Sequence, residues 1–243
     1  MAGMFPYDPQ LLALLQMSPA TVADVLAAMQ SIDQLTVNED GLKWFNWLYW
    51  QVTQAVETRI QAGGFADPAF LAALDVQFAG LYFSALRASL SGQPLPECWE
   101  TLFAQRNDIR LARIQCAMAG INAHINHDLP LAIVATCQAS GITPQHGTSQ
   151  YNDYTNLNTN LDALIESAKQ TLNVRLPGDA LPAVTQMEDT IAAWSLSAAR
   201  ESAWNNAEIL WHLEGNALLM SGFDTTLDGL ATVISKSLLV VIP

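Results

Sequence analysis

Two histidines and an aspartate stand within one short stretch, Asn122-Ala123-His124-Ile125-Asn126-His127-Asp128. Residues three and four apart are neighbours on a helix surface, so His124 meets both His127 and Asp128 on one face. Imidazole and carboxylate are ligands that zinc, iron and manganese accept. Water bound to such a metal becomes a nucleophile near neutral pH. Without a metal, histidine beside aspartate is an acid–base pair. The same polarity also suits a buried hydrogen-bond network that orients two helices. Pro130 bears on each reading, because it cannot donate to the carbonyl of Asn126 and its ring disturbs the turn carrying His127.

Steps of about 100° per residue put Arg113, Ala117, Gly120, His124, His127, Asp128 and Leu131 on one side of this helix and Gln115, Asn122 and Asn126 on the other. A surface helix has one polar face; two imply that at least one points inward. Arg106, Arg110 and Arg113 continue the histidine side, and either guide an anionic substrate or sit in water. A second long helix carries Arg200, Trp204 and Trp211 together, with Glu201, Asn205, Glu208 and His212 beside them. Its tryptophans either fill the core or stack on a substrate. The candidate catalytic residues are therefore His124, His127, Asp128 and Glu201, the first three doubling as metal ligands. Asn122, Asp153, Asn158, Arg200, Trp204 and Asn205 are candidates for binding substrate. Glu201, Asp75 or Asp153 would have to complete a metal shell.

Helical periodicity dominates the elements that must hold these groups. Asp8-Pro9 and Ser18-Pro19 open short helices over about 9–16 and 19–33. Asp40 caps a longer one to about Gln61, stopped by Gly63-Gly64, and Asp67-Pro68 starts the next, to about Leu90. Gly92, Pro94 and Pro96 make a break. One long helix is expected over 108–139, interrupted by Pro130, then a loop over 141–150 and a helix from Asp153 to about Leu172. Pro177, Gly178 and Pro182 break the chain before a second long helix over 184–214 and a final apolar one over 225–240. Strand signals are sparse. The expectation is all-α: a single-domain multi-helix bundle with two long central helices. Residues 1–38 form an N-terminal helical extension packed on a 40–215 core, and 216–243 form a C-terminal helix.

Composition narrows the partners. With 51% hydrophobic and only 14% charged residues, the chain needs a large buried fraction, an apolar cavity or a homo-oligomer interface. A net charge of -13 disfavours nucleic acid and anionic membrane surfaces. Met1 to Gln16 lacks the basic residues of a secretory signal. The most apolar run, Phe70 to Leu86, is broken by Asp75 and Gln77, so no integral membrane segment is expected and the protein reads as cytoplasmic. Cys98, Cys116 and Cys137 are odd in number and unclustered, which suits reduced, buried thiols.

Several segments together resemble the bacterial domain-of-unknown-function family numbered 5995. They are Asp40 to Asn46, Phe70 to Val76, Gly120 to Pro130, Asp153-Tyr154 with Leu157-Asn158, Ala199-Arg200-Glu201 through Trp204, and Leu210-Trp211. The most specific is the Asn-Ala-His-Ile-Asn-x-Asp-Leu-Pro pattern. The resemblance implies a helical fold and carries no activity with it.

Three functions compete. The first is a metal-assisted hydrolase of a phosphoester or lipid-like substrate in an apolar helical pocket, since the His124/Asp128 pair is similar to ligand pairs of helical zinc phospholipases and nucleases. The second is a class I terpene-cyclase-like lyase acting on an isoprenoid diphosphate with magnesium. Aromatic residues and low charge suit a carbocation cavity, and Asn152-Asp153-Tyr154-Thr155-Asn156 is similar to a magnesium-binding motif, although Asn160 stands where that motif has Glu and no Asp-rich motif occurs. The third is a non-catalytic protein that binds an apolar small molecule. The cofactor in the enzymatic readings is a divalent metal: Zn, Fe, Mn or Mg.

Overall fold

The computed structural model describes residues 5–173 and 194–241. The breaks expected at Pro177, Gly178 and Pro182, and the first part of the helix expected over 184–214, lie outside the described residues. Among the described residues the regular structure is entirely helical.

Most boundaries follow from side chains that occupy free backbone amides. Helix α1 (Asp8–Leu14) has Pro9 in its first turn. Helix α2 (Val22–Leu35) starts at a reciprocal cap between Thr21 and Asp24, three residues beyond Ser18-Pro19. Asp40 caps α3 (Gly41–Ala62) by accepting from the amide of Leu42, and Gly63 ends the helix at φ 78°. Asp67 caps α4 (Pro68–Ser91) through the amide of Phe70, and Gly92 ends it in the left-handed conformation.

Helix α5 (Glu97–Phe103) occupies part of the stretch read as a break. Its seven residues are too few for a periodic signal. Four of them, Cys98, Trp99, Leu102 and Phe103, are nonetheless buried apolar side chains.

The expected long helix is a continuous rod in three parts: α6 (Arg113–Ala123), a π turn (His124–Asp128) and α7 (Leu129–Ser140). It begins at Arg113, not near Asp108, because Asp108 instead pairs with the guanidinium of Arg110 at 2.6 Å in the preceding turn. Then come α8 (Ser149–Asn156), α9 (Asn158–Asn173), α10 (Leu196–His212) and α11 (Ala217–Leu238).

The rod is the centre of the fold. Its α6 part packs between α3 and α11, and its α7 part between α4 and α10. Gly120 permits the α3 crossing: a Cβ there would sit 2.3 Å from Cγ of Phe45. The N-terminal helices are tied in by Arg106, which is buried and meets Asp8 at 2.6 Å and Asp40 at 2.8 Å. The three cysteines are free and buried.

Much of the apolar composition lies in the core, but α11 also carries exposed Leu218, Leu219, Leu230, Val233 and Ile234. Helix α4 is long and apolar enough to cross a membrane by length and composition. In the bundle it buries Phe70, Leu74, Asp75, Phe78 and Tyr82 among other helices.

Candidate functional site

The π turn follows from Pro130. Proline offers no N–H to the carbonyl of Asn126, and the helix widens by one residue, so that the amide of Leu129 donates to the carbonyl of His124. This local widening gathers both imidazoles around one carboxylate. Asp128 Oδ2 accepts from Nδ1 of His124 at 2.8 Å and from the indole N–H of Trp99 at 2.9 Å, while Oδ1 accepts from Nδ1 of His127 at 2.7 Å. All three residues are buried.

The two histidines differ in charge. Burial pushes His124 below its ordinary value despite the Asp128 carboxylate, so it is neutral, with its proton on Nδ1 and a lone pair on Nε2. Burial acts on His127 in the same direction, but Asp128 and Asp224 overcome it and raise that imidazole to about 10. His127 is therefore an imidazolium, with Nε2 at 3.3 Å from the carboxylate of Asp224. Burial disfavours charge on Asp128, yet the two histidines hold its carboxyl below the usual range.

This geometry bears on the metal reading. Both Nδ1 atoms face Asp128, so His124, His127 and Asp128 do not fit one ion as direct ligands. Among the described residues no three histidine, cysteine, aspartate or glutamate side chains converge as a metal-holding group.

His124 Nε2 enters an aromatic enclosure. The imidazole stacks on Phe78 with ring centres 3.4 Å apart and meets the Tyr49 ring edge-on at 4.5 Å. Phe45 and Trp99 also border it. Nε2 is buried and has no hydrogen-bond partner among the described residues. Three more buried polar atoms, the hydroxyls of Tyr49 and Thr53 and Oδ2 of Asp75, lack a well-formed hydrogen bond, although the two hydroxyls lie close enough for Thr53 to act against the rise of the Tyr49 phenol. Tyr49 and Thr53 are one turn apart on α3, and Asp75 lies three residues before Phe78 on α4. Burial and the Asp75 and Asp128 charges push the Tyr49 phenol well up. Burial, aided by Glu57 and opposed by Arg200, raises the Asp75 carboxyl to about 7. A neutral imidazole and a buried carboxyl raised to about 7 thus both lie near the Tyr49 ring.

The other candidates divide. Asn122 is buried and clamps α11, donating to the carbonyl of Ala231 at 2.7 Å and to the hydroxyl of Ser235 at 2.9 Å. Gln115 does the same at the end of α11, through the carbonyls of Leu238 and Val240. Both polar sides of the rod are therefore buried, and among the described residues His124 is the rod side chain with a buried polar atom that lacks a partner. Asp153 uses both carboxylate oxygens on the amides of Ala66 and Asp67, ahead of α4. Arg200 donates to Asn158 Oδ1 at 2.7 Å and to the carbonyl of Tyr154 at 2.9 Å. Trp204 is a core residue whose indole N–H reaches Glu208 at 3.2 Å. Asn205 is exposed. Glu201 is separate from the histidine pair: it accepts from the Tyr151 hydroxyl at 2.9 Å and pairs with His146 Nε2 at 3.0 Å, with Glu208 on Nδ1 at 2.6 Å.

The arginines end in ordinary pairs. Arg106 is neutralised by Asp8 and Asp40, Arg110 pairs with Asp108, and Arg113 stacks over Trp44 at 4.3 Å.

Sequence reasoning missed Tyr49, Thr53, Phe78, Trp99 and the surface role of His146. Aromatic residues on apolar helices look like core filling. The one available signal was Asp75, a lone carboxylate inside an apolar helix. A shallow groove of about 430 Å³ between α3 and α9, bordered by Gln51, Thr58, Arg59 and Leu164, involves none of the candidate residues.

No curated protein and no solved structure matches the chain. A family model described as a family of unknown function, DUF5995, matches residues 22–241, from α2 through α11, and so covers the π turn, Asp75 and Arg200. The chain belongs to the DUF5995 family.

Proposed function

We propose that this protein is a hydrolase acting on an apolar, lipid-like ester or phosphoester, with His124 as general base and Asp75 as general acid. One observation carries the reading: Nδ1 of His124 is held on Asp128 at 2.8 Å while its Nε2 is buried without a partner. Asp128 sets the tautomer, and Nε2 is left to take a proton from an attacking water. Asp75, raised to about 7, keeps a proton near neutrality for the leaving group. The hydroxyls of Tyr49 and Thr53 are donors for the developing oxyanion. The rings of Phe78, Tyr49 and Phe45 select an apolar body.

A metal-assisted version of this hydrolysis would have to use Nε2 of His124 together with Asp75, with Asp128 orienting the imidazole from behind. A diphosphate lyase would call on Asp153, whose oxygens are both engaged.

The test is a panel of p-nitrophenyl acyl esters of increasing chain length and bis(p-nitrophenyl) phosphate, with metal content measured on untagged protein. Turnover that falls by about 100- to 10,000-fold in both His124→Gln and Asp75→Asn, with helical circular dichroism retained, is the expected result. Stoichiometric metal lost in His124→Ala would move the proposal to its metal-assisted form. No turnover on any member, or turnover indifferent to both substitutions, would overturn it.

A further inference from the structure

Helix α11 keeps an apolar side outside the bundle. Leu218 is 82% exposed, Val233 67% and Leu230 61%, and Leu219 and Ile234 are open as well. Steps of about 100° per residue gather all five within about 80° of the direction of Thr226. Among the described residues no other element covers them.

Charge sets this side apart from the rest of the molecule. The chain carries a net charge of -13, yet the charged residues of α11 are engaged elsewhere. Asp224 pairs with His127 at 3.3 Å, and Asp228 accepts from the amides of Glu97 and Cys98, each at 2.9 Å. Lys236, at the edge, pairs with Glu97 at 2.6 Å. The exposed hydroxyls are satisfied within the helix: Thr225 donates to the carbonyl of Ser221, Thr226 to that of Gly222 and Ser237 to that of Ile234. This side can lose its water without stranding a charge or a donor. Gly222 and Gly229 stand on it too. Glycine weakens a helix, and a Cβ at either position would meet nothing within 4 Å, so no contact inside the chain requires them.

The stripe is complementary to its own reverse. In an antiparallel pair with the twofold axis at Thr226, residues equidistant from 226 share a layer, which joins Leu219 to Val233 and Gly222 to Leu230. Each Leu230 then has a glycine hollow in the facing helix to fill. The five exposed side chains offer on the order of 500 Å² per copy, so two copies bury about 1,000 Å², which reaches the lower limit of a specific interface. Acidic bodies repel one another, and a face without free charge is where two of them can meet. A bilayer suits the face less well, because helices that lie on membranes carry basic flanks and α11 has Lys236 alone.

We propose that this side of α11 is the interface of a homodimer in which two copies pack antiparallel about Thr226. The proposal is independent of the hydrolase reading.

The experiment is sedimentation velocity on the full chain from micromolar to submillimolar concentration. A species of twice the chain's mass that grows with concentration is expected. Leu230→Glu and Val233→Glu alter side chains that are exposed in the single chain, so helical circular dichroism should be kept. Each should weaken self-association by roughly 100-fold. Gln61→Glu, the same charge at an exposed position of α3, should leave it unchanged. Register is read by cross-linking. Thr226→Cys should form an intermolecular disulfide on mild oxidation, and Gln61→Cys should not; the native cysteines are buried. A monomer at every concentration, a dimer indifferent to both α11 glutamates, or equal cross-linking from positions 226 and 61 would overturn the proposal. Monomeric protein that floats with phosphatidylcholine vesicles, and loses that flotation in Leu230→Glu, would overturn it in favour of a membrane.

Discussion

At the residue scale, Asp128 is the group on which both histidines depend, since three donors converge on its carboxylate. Asp128→Asn removes the counter-charge of a buried imidazolium and turns an amide donor toward donors. It should destabilise the protein by about 3–5 kcal/mol in urea unfolding. His127 links stability to pH. Its folded value of about 10 lies above the ordinary 6.5, so its contribution is fully present below about 6.5 and is lost as pH rises through about 10. The melting temperature should fall over that window, and His127→Gln should flatten the fall. Asp75 is likewise raised, to about 7 from an ordinary 3.8, so its contribution is lost as pH climbs between those values. Asp75→Asn should therefore be more stable than the unaltered protein at pH 8 while losing the proposed activity. A variant that is less stable at pH 8 would contradict the buried-acid assignment. Such opposition of stability and activity is expected where a candidate site holds unpartnered groups in a buried interior.

At the element scale, the π turn does the positioning. Pro130→Ala restores the missing amide and lets the rod return toward a regular α-helix. Stability should be kept, while the proposed turnover drops on the order of 100-fold, the typical effect of misplacing a catalytic group by about 1 Å. Retained activity would mean that the turn is incidental. Gly120 is the second constraint on the rod. A methyl group there meets Phe45, so Gly120→Ala should destabilise by about 1–3 kcal/mol in denaturant titration. Elements announced by a cap were legible in the sequence: Asp40, Asp67, Gly63 and Gly92 mark helix ends by local hydrogen bonding and backbone freedom alone. Helix α5 was not legible, because burial of Trp99 and Cys98 by distant helices, rather than any local pattern, makes that turn worthwhile.

At the scale of the whole molecule, the rod separates two kinds of polarity. Its Gln115 and Asn122 side locks α11, while on the histidine side His124 faces α3, α4 and α5 and His127 turns to Asp224 of α11. Asn122→Ala leaves the carbonyl of Ala231 without that donor. It should cost about 1–3 kcal/mol and speed amide hydrogen exchange along α11 before the rest of the bundle. Uniform acceleration would mean that α11 is not a separable unit. Helix α10 contributes on two levels. Arg200 reaches inward to Tyr154 and Asn158, whereas Glu201, one residue on, turns outward to Tyr151 and His146.

By itself the sequence determined the all-helical architecture, most helix ends and the stretch in which to look for chemistry, because periodicity, caps and proline act over a few residues. It also brought His124, His127 and Asp128 together, since helical spacing alone makes them neighbours. Tertiary structure decided what they do with one another. The π turn aims both Nδ1 atoms at Asp128, but only packing brings Trp99 in from α5 and sets the His124 ring against Phe78 and Tyr49. Only packing separates Arg200 from Glu201. The polar stretch that any reader of the sequence would single out is thus half anchor and half candidate site. That division depends on which helices lie against each face, which is a property of the assembled bundle.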